Sequence, residues 1–164
     1  MIRGLHHVGI SSSDLQRSIR FYCDVIGFEL VFESVIHGPR PEIDALLDLE
    51  GVSCKIAMLR TGTGFLELFE YLSPDPKKAD GQRPVHDHGI NHLTLWVEDI
   101  DAEYERLKAA GMKFHGAPMK SKMPMRAVYG RDPDGNAVEL LEILSNDWPF
   151  HMANSKLRGA GGGG

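Results

Sequence analysis

The sequence has few cysteines, no long apolar run and no excess of positive charge. Its 164 residues include only Cys23 and Cys54, which form no CxxC pair, so we expect no disulfide framework and a cytoplasmic protein. No apolar stretch approaches the ~18–20 residues that span a bilayer, and no apolar signal segment opens the chain, so we expect no membrane association. The net charge of −5, without a basic run, argues against nucleic-acid binding.

Hydrophobic residues make up 42% of the chain and charged residues 25%, a composition typical of a globular protein with a buried core. The length suits one domain, which we place at residues 1–146. The last residues are rich in glycine, so we expect the 147–164 extension to end in a disordered tail. The unusual feature is the number of histidines, which is eight.

An internal repeat organises the sequence. Residues 7–15 and 92–100 form a similar pair, because each runs from a His through a short apolar segment to an Asp. Residues 66–71 and 138–143 form a second similar pair. The two segments of this second pair are separated by fewer residues than those of the first pair. The first half therefore carries extra residues, which we place in a long loop over 33–54 with one helical turn.

Each half has the same predicted order of elements, strand–helix–strand–strand–strand. Asp14 and Asp99 are predicted to cap the two helices, and Gly27 and Gly111 to end them. Strands are also predicted at 55–59, 65–70, 126–130 and 137–143, and a turn is predicted at 132–135. Module one is predicted at about 3–73, the linker at about 74–88 and module two at about 89–146.

Strand alternation places one His and one Glu of each half on the face turned away from the helix. These four residues are His7, Glu67, His92 and Glu139. Alternation turns Glu70 and Glu142 to the helix side, and it also places Asn91 there. Two imidazoles and two carboxylates suit one divalent ion such as Zn, Ni, Co, Mn or Fe.

Taken singly, each of these four residues could have a structural role instead of a ligand role. A single strand His is usually a satisfied structural residue, and a Glu between leucines usually faces solvent. Repetition of both in register argues for a shared ligand role. We interpret His6 as structural or as a support for His7. Five other histidines have no repeat partner, so we expect no ligand role for them: His37, His86, His88, His115 and His151.

The two halves resemble the vicinal oxygen chelate superfamily over residues 3 to about 145. The resemblance lies in His7-Val8-Gly9-Ile10, Asp14-Leu15, Phe21-Tyr22 and Gly27-Phe28, then in His92, Asp99, Gly111, Asp132-Pro133-Asp134-Gly135-Asn136 and Glu139-Leu140. It implies an α+β fold of two βαβββ modules, with a curved mixed sheet around a metal cavity. It also implies one divalent metal ion per site and a homodimer.

Glyoxalase I and methylmalonyl-CoA epimerase members of that superfamily use four ligand positions, which His7, Glu67, His92 and Glu139 fill. The resemblance therefore implies a metal-dependent isomerase, epimerase or lyase that acts through an enolate or enediolate of a small carbonyl or thioester substrate. Glu139 or Glu67 would be the base. Asn91 departs from the epimerase pattern, which commonly has a second His there.

Two other functions stay open: a ring-cleaving dioxygenase and a small-molecule-binding resistance protein. Charged residues could anchor an acidic or phosphate-bearing substrate, although solvated surface charge is the more frequent role of such residues. These candidates are Arg40, Lys120, Lys122 and Arg126.

Overall fold

The computed structural model describes residues 2–77 and 83–154. The described residues divide into two compact units, an N-terminal unit that contains residues 5–77 and a C-terminal unit that contains residues 83–154 together with 2–4. The predicted glycine-rich tail lies outside the described residues. In the parts of the chain that the structure describes, no helix is long and apolar enough to cross a bilayer.

The N-terminal unit is a four-stranded mixed sheet with the strand order β1-β4-β3-β2. Its elements are β1 (His7–Ser11), α1 (Leu15–Arg20) with a π-helical continuation (Phe21–Ile26), β2 (Glu29–Ile36), α2 (Pro41–Leu47), β3 (Ser53–Arg60) and β4 (Phe65–Ser73). β1 runs parallel to β4, and the other two strand pairs are antiparallel.

The C-terminal unit repeats this sheet with the order β5-β8-β7-β6. Its elements are β5 (Leu93–Trp96), α3 (Ile100–Ala109), β6 (Lys113–Phe114), β7 (Met125–Arg131), β8 (Ala137–Ile143) and a short 3-10 helix (Met152–Asn154). β5 runs parallel to β8, as β1 does to β4. The predicted α+β fold with two repeated modules is confirmed.

The strand register follows the internal repeat. Gly9 pairs with Glu67 across β1 and β4, and Thr94 pairs with Glu139 across β5 and β8. Gly9 and Thr94 are equivalent positions of the first pair of repeated segments, and Glu67 and Glu139 are equivalent positions of the second pair. The repeat therefore places each Glu at the same point of its sheet.

The helix boundaries follow the predicted caps. The Asp14 carboxylate accepts a hydrogen bond from the backbone N–H of Arg17 at 3.0 Å, and the Asp99 carboxylate accepts one from Ala102 at 3.0 Å. Gly27 adopts φ = +103° directly after the first helix, a conformation that favours glycine. Both helices thus begin and end where the sequence indicated.

The prediction of a long loop over 33–54 is partly wrong. Strand β2 continues to Ile36, β3 begins at Ser53, and the predicted helical turn is α2. Gly38 and the nearby prolines indicated a loop, although the C-terminal end of β2 is a strand. Its pairing with β3 depends on residues far along the chain. The remaining connection is held by the Asp44 carboxylate, which accepts backbone hydrogen bonds from Gly51 and Val52, each at 2.9 Å.

Each unit buries its helix against one face of its own sheet. In the N-terminal unit Leu15 and Tyr22 are fully buried, as is Leu68 of β4. In the C-terminal unit Ile100 of α3 and Leu140 of β8 are fully buried. Burial of such a side chain contributes about 1.5–3 kcal/mol, so the helix-covering faces hold each unit together.

The predicted turn after β7 is stabilised by Asp132, which is buried. Its carboxylate accepts hydrogen bonds from the backbone N–H groups of Asp134 and Asn136 at 3.0 and 2.8 Å, and from the Asn136 side chain at 2.8 Å. We expect Asp132→Ala to lower the free energy of unfolding by about 2–3 kcal/mol, because three donors lose a charged acceptor. Urea denaturation measures this, with the exposed Asp147→Ala as a control expected within about 0.5 kcal/mol of the parent. Equal effects would contradict the role of Asp132.

Candidate metal centre

The N-terminal unit brings His7 and Glu67 together. His7 begins β1, Glu67 lies in the neighbouring β4, and the His7 Nε2 and Glu67 Oε2 atoms are 3.2 Å apart. The residues that flank Glu67, Leu66 and Leu68, are buried on the helix side of the sheet. Alternation therefore turns Glu67 to the other face, as predicted, and its side chain is 21% exposed.

The C-terminal unit contains the matching pair. His92 directly precedes β5, Glu139 lies in β8, and His92 Nε2 is 3.3 Å from Glu139 Oε2. The Thr94 hydroxyl donates a hydrogen bond to Glu139 Oε2 at 2.8 Å. Glu139 is only 13% exposed, so its carboxylate is both partly buried and held in one position.

The donor separations fit two adjacent ligands of one cation. Nitrogen and oxygen donors lie about 2.1 Å from a zinc-type ion, so ligand angles between 90° and 109° separate the donors by about 3.0–3.4 Å. The observed 3.2 and 3.3 Å fall within this interval. Among the residues that the structure describes, no group of three or more His, Cys, Asp or Glu side chains could hold a metal. Each unit by itself thus offers two ligands.

Tyr129 is a residue of this site that the sequence reasoning missed. It lies opposite Glu139 in the β7–β8 pairing, and its hydroxyl is 3.4 Å from His92 Nε2. Burial, and then the negative charge of Glu139, raise the pKa of Tyr129 above its usual value. The phenol therefore keeps its proton near neutral pH and can donate a hydrogen bond. Counting back from the turn at Asp132 would have identified the pairing of Tyr129 with Glu139.

The surroundings of the two glutamates differ. Thr94 and Tyr129 occupy the positions opposite Glu139 on its two neighbouring strands. The corresponding positions opposite Glu67 hold Gly9 and Met58, which carry no hydroxyl. Glu139 thus has a fixed hydrogen-bonded setting, whereas glycine and a thioether line the strands beside Glu67.

Glu70 and Glu142 lie on the helix side, as alternation predicted. The Glu70 carboxylate accepts a hydrogen bond from the backbone N–H of Leu15 at 2.8 Å and pairs with Lys55 at 2.8 Å. Arg126 lies 3.8 Å from Glu142. Glu70 therefore links β4 to α1 and to β3, and Glu142 of β8 lies next to Arg126 of β7.

The structure favours a structural role for Arg126, one of the candidate substrate anchors. Its guanidinium donates two hydrogen bonds to Asp101 of α3, at 2.6 and 2.8 Å. The pairing lowers the pKa of Asp101 below its usual value, chiefly through the hydrogen bond from Arg126. The other candidates, Arg40, Lys120 and Lys122, have exposed side chains.

The residues before the two histidines contact the far side of each ring. His6 Nδ1 lies 2.9 Å from His7 Nδ1, and Asn91 Oδ1 is hydrogen-bonded to His92 Nδ1. The prediction that Asn91 covers the helix is wrong: Asn91 is exposed, and β5 begins only at Leu93, so strand alternation does not extend to it.

Two of the remaining histidines also lie near this face. His115 Nε2 accepts a hydrogen bond from Arg131 at 3.0 Å, and its ring stacks over Tyr129 at a centroid distance of 6.4 Å. His151 meets the ring of Trp96 edge-on at 5.6 Å. Both rings therefore have aromatic neighbours in the C-terminal unit.

Comparison with known proteins finds relatives over most of the chain. A 2-epi-5-epi-valiolone epimerase from Actinomyces sp. is 35% identical over 147 residues, covering 85% of this chain and 79% of that protein. A probable lactoylglutathione lyase from Synechocystis sp. is 27% identical and covers 86% and 96% of the two chains.

A similar fold is found in a solved structure, that of a glyoxalase family protein from Bacillus cereus. It matches with a TM-score of 0.78 and 26% identity, covering 88% of this chain and 96% of that one. A family model described as the Glyoxalase/Bleomycin resistance protein/Dioxygenase superfamily matches residues 4–140. With two repeated units that each carry a His–Glu pair, the chain belongs to this superfamily, as the resemblance in the sequence implied.

Proposed function

We propose that the protein is a divalent-metal-dependent epimerase or related isomerase that removes and returns a proton next to a carbonyl group. The observation that carries the proposal is the repeated His–Glu pair, with donor separations of 3.2 and 3.3 Å. Two such pairs supply the four ligands that zinc-type ions commonly take from proteins, and a larger coordination number leaves positions for substrate.

In this proposal His7, Glu67, His92 and Glu139 bind one cation per chain. The two pairs of a site belong to one chain or to the two chains of the expected homodimer. A bound divalent cation supplies Lewis-acid stabilisation of the negative charge that develops on the substrate oxygen when the α-proton leaves. The two imidazoles then serve only as ligands, and the two carboxylates have different roles, proton transfer and anchoring.

We assign the proton transfer to Glu67 and the anchoring role to Glu139. The Thr94 hydroxyl holds Glu139 Oε2 at 2.8 Å, which suits a carboxylate that stays in place. Glu67 faces Gly9 and Met58 instead, which offer no hydroxyl to hold its carboxylate, so Glu67 would be the group that takes and returns the α-proton. A positioned carboxylate of this kind typically contributes 10²–10⁴-fold to a proton-transfer step.

The substrate class is a small carbonyl compound whose α-carbon carries a proton. The 35% identity to an epimerase supports this class, and so does the match to a probable lactoylglutathione lyase. The protonated Tyr129 hydroxyl, 3.4 Å from His92 Nε2, is placed to donate a hydrogen bond to a substrate oxygen beside this pair.

Hydrogen–deuterium exchange tests the reaction class directly. We expect the metal-loaded protein in D₂O to place deuterium at the α-carbon of at least one member of a panel of α-hydroxy ketones, 2-methyl acyl thioesters and hemithioacetals. Proton NMR follows the loss of the α-proton signal. Removal of the metal with a chelator should abolish the exchange, and addition of one divalent ion should restore it.

The competing functions give different results in the same series. A ring-cleaving dioxygenase would consume O₂ with a catechol and leave the α-protons of the panel in place. A resistance protein would bind a small molecule without turnover and without need of the cation. Either outcome would contradict the proposed isomerase.

A further inference from the structure

In both units the residue directly before the candidate ligand histidine contacts Nδ1 of that ring. Asn91 Oδ1 is hydrogen-bonded to His92 Nδ1, and His6 Nδ1 lies 2.9 Å from His7 Nδ1. Positions 6 and 91 are equivalent in the two halves, because each directly precedes the histidine that opens the repeated segment. The contact is therefore repeated in the two halves, although the residue types differ.

The orientation of the Asn91 amide is fixed by its second hydrogen bond. Asn91 Nδ2 donates to the backbone carbonyl of Val85 at 2.9 Å, so Oδ1 is the atom that faces His92. An amide oxygen only accepts hydrogen bonds, so His92 Nδ1 carries the hydrogen. In a neutral imidazole this leaves the lone pair on Nε2, the nitrogen that faces Glu139 at 3.3 Å.

His6 has the corresponding position in the N-terminal unit. Its ring stacks on Phe65 with a centroid distance of 5.0 Å and an interplanar angle of 21°, and its backbone carbonyl accepts a hydrogen bond from Phe65 at 3.1 Å. These contacts hold the His6 ring edge-on to His7, with centroids 5.2 Å apart. His6 Nδ1 thus stands beside His7 where the Asn91 amide oxygen stands beside His92.

We propose that Asn91 and His6 are positioning residues that accept the Nδ1–H of His92 and His7 and so direct Nε2 of each ring to the cation. This inference rests on the proposed metal centre. A ligand histidine usually donates its other N–H to such an acceptor, and loss of the acceptor typically costs 10–100-fold in metal affinity. Two acceptors adjacent in sequence to their histidines would give both rings the same tautomer.

The test compares two substitutions at Asn91 by Co²⁺ affinity, measured on the full chain by competition with a chromophoric chelator. Asn91→Leu removes the acceptor, and we expect Co²⁺ to bind about 10–100-fold more weakly. Asn91→Asp keeps an oxygen acceptor but loses the donor to Val85, so we expect at least the parent affinity. Equal weakening in the two variants would assign Asn91 only to the loop around Val85 and would overturn the proposal.

A second pair of variants keeps the test valid if Asn91→Leu fails to fold in thermal denaturation. His6→Asn introduces the acceptor that the other unit uses and should keep Co²⁺ affinity, whereas His6→Leu should lower it. Unchanged affinity in every leucine variant that folds, with the parent binding Co²⁺, would overturn this inference alone. A parent chain that binds no Co²⁺ would overturn the proposed metal centre as well.

Discussion

Replacing Glu67 by Gln is expected to lower kcat by about 10²–10⁴-fold, the contribution of a positioned base to proton transfer. Glutamine keeps the size and one oxygen donor of the side chain but cannot accept the α-proton at neutral pH. Because His7, His92 and Glu139 remain, we expect the variant to bind its metal within about tenfold of the parent affinity. Activity assays with metal-loaded protein, together with chelator competition, measure both quantities.

Glu139→Gln is the matched comparison. Its carboxylate is held by Thr94 and faces His92, so we expect this variant to lose metal affinity more than turnover, and excess cation should restore much of its activity. Glu29→Gln, on the exposed edge strand β2, is a control that should leave both quantities unchanged. The opposite pattern, with metal lost in Glu67→Gln and kcat lost in Glu139→Gln, would exchange the assigned roles.

Removing one imidazole is expected to have the largest effect on the affinity for the cation. His92→Ala deletes one ligand and leaves Glu139, held by Thr94, as the remaining ligand of its pair. We therefore expect metal affinity to fall by more than about 10²-fold and activity to be lost at limiting metal. His92 is 29% exposed, so the fold should survive and far-ultraviolet circular dichroism should match the parent. His86→Ala, whose imidazole is 84% exposed, is the histidine control. Full metal content in His92→Ala would exclude this residue as a ligand.

Much of the fold follows from local sequence signals. Asp14 and Gly27 mark the ends of the first helical segment because capping and a positive φ depend on single residues. The alternation of Leu66, Glu67 and Leu68 sets the face of Glu67 because a strand has a period of two. The repeat then transfers the same argument to Glu139.

The contacts that escaped the sequence analysis depend on irregular chain. Asn91 faces His92 because the carbonyl of Val85 holds its amide. The segment around Val85 is in turn held by Arg83, whose guanidinium donates to the carbonyls of Asp87, His88 and Ile90 at 3.2, 3.0 and 3.3 Å. No periodic pattern encodes such contacts. The strand end at Ile36 was missed for a similar reason, since its pairing with Cys54 crosses the connection that contains α2.

The most direct measurement for the central claim is the metal stoichiometry of the parent chain and of a variant that lacks the N-terminal pair, His7→Ala with Glu67→Ala. Titration with Co²⁺ should saturate the parent at about one ion per chain, because four ligands from two pairs complete one site. The double variant should bind no ion at comparable affinity, since His92 and Glu139 supply only two ligands. One tightly bound ion in the double variant, or two independent ions in the parent, would contradict the account.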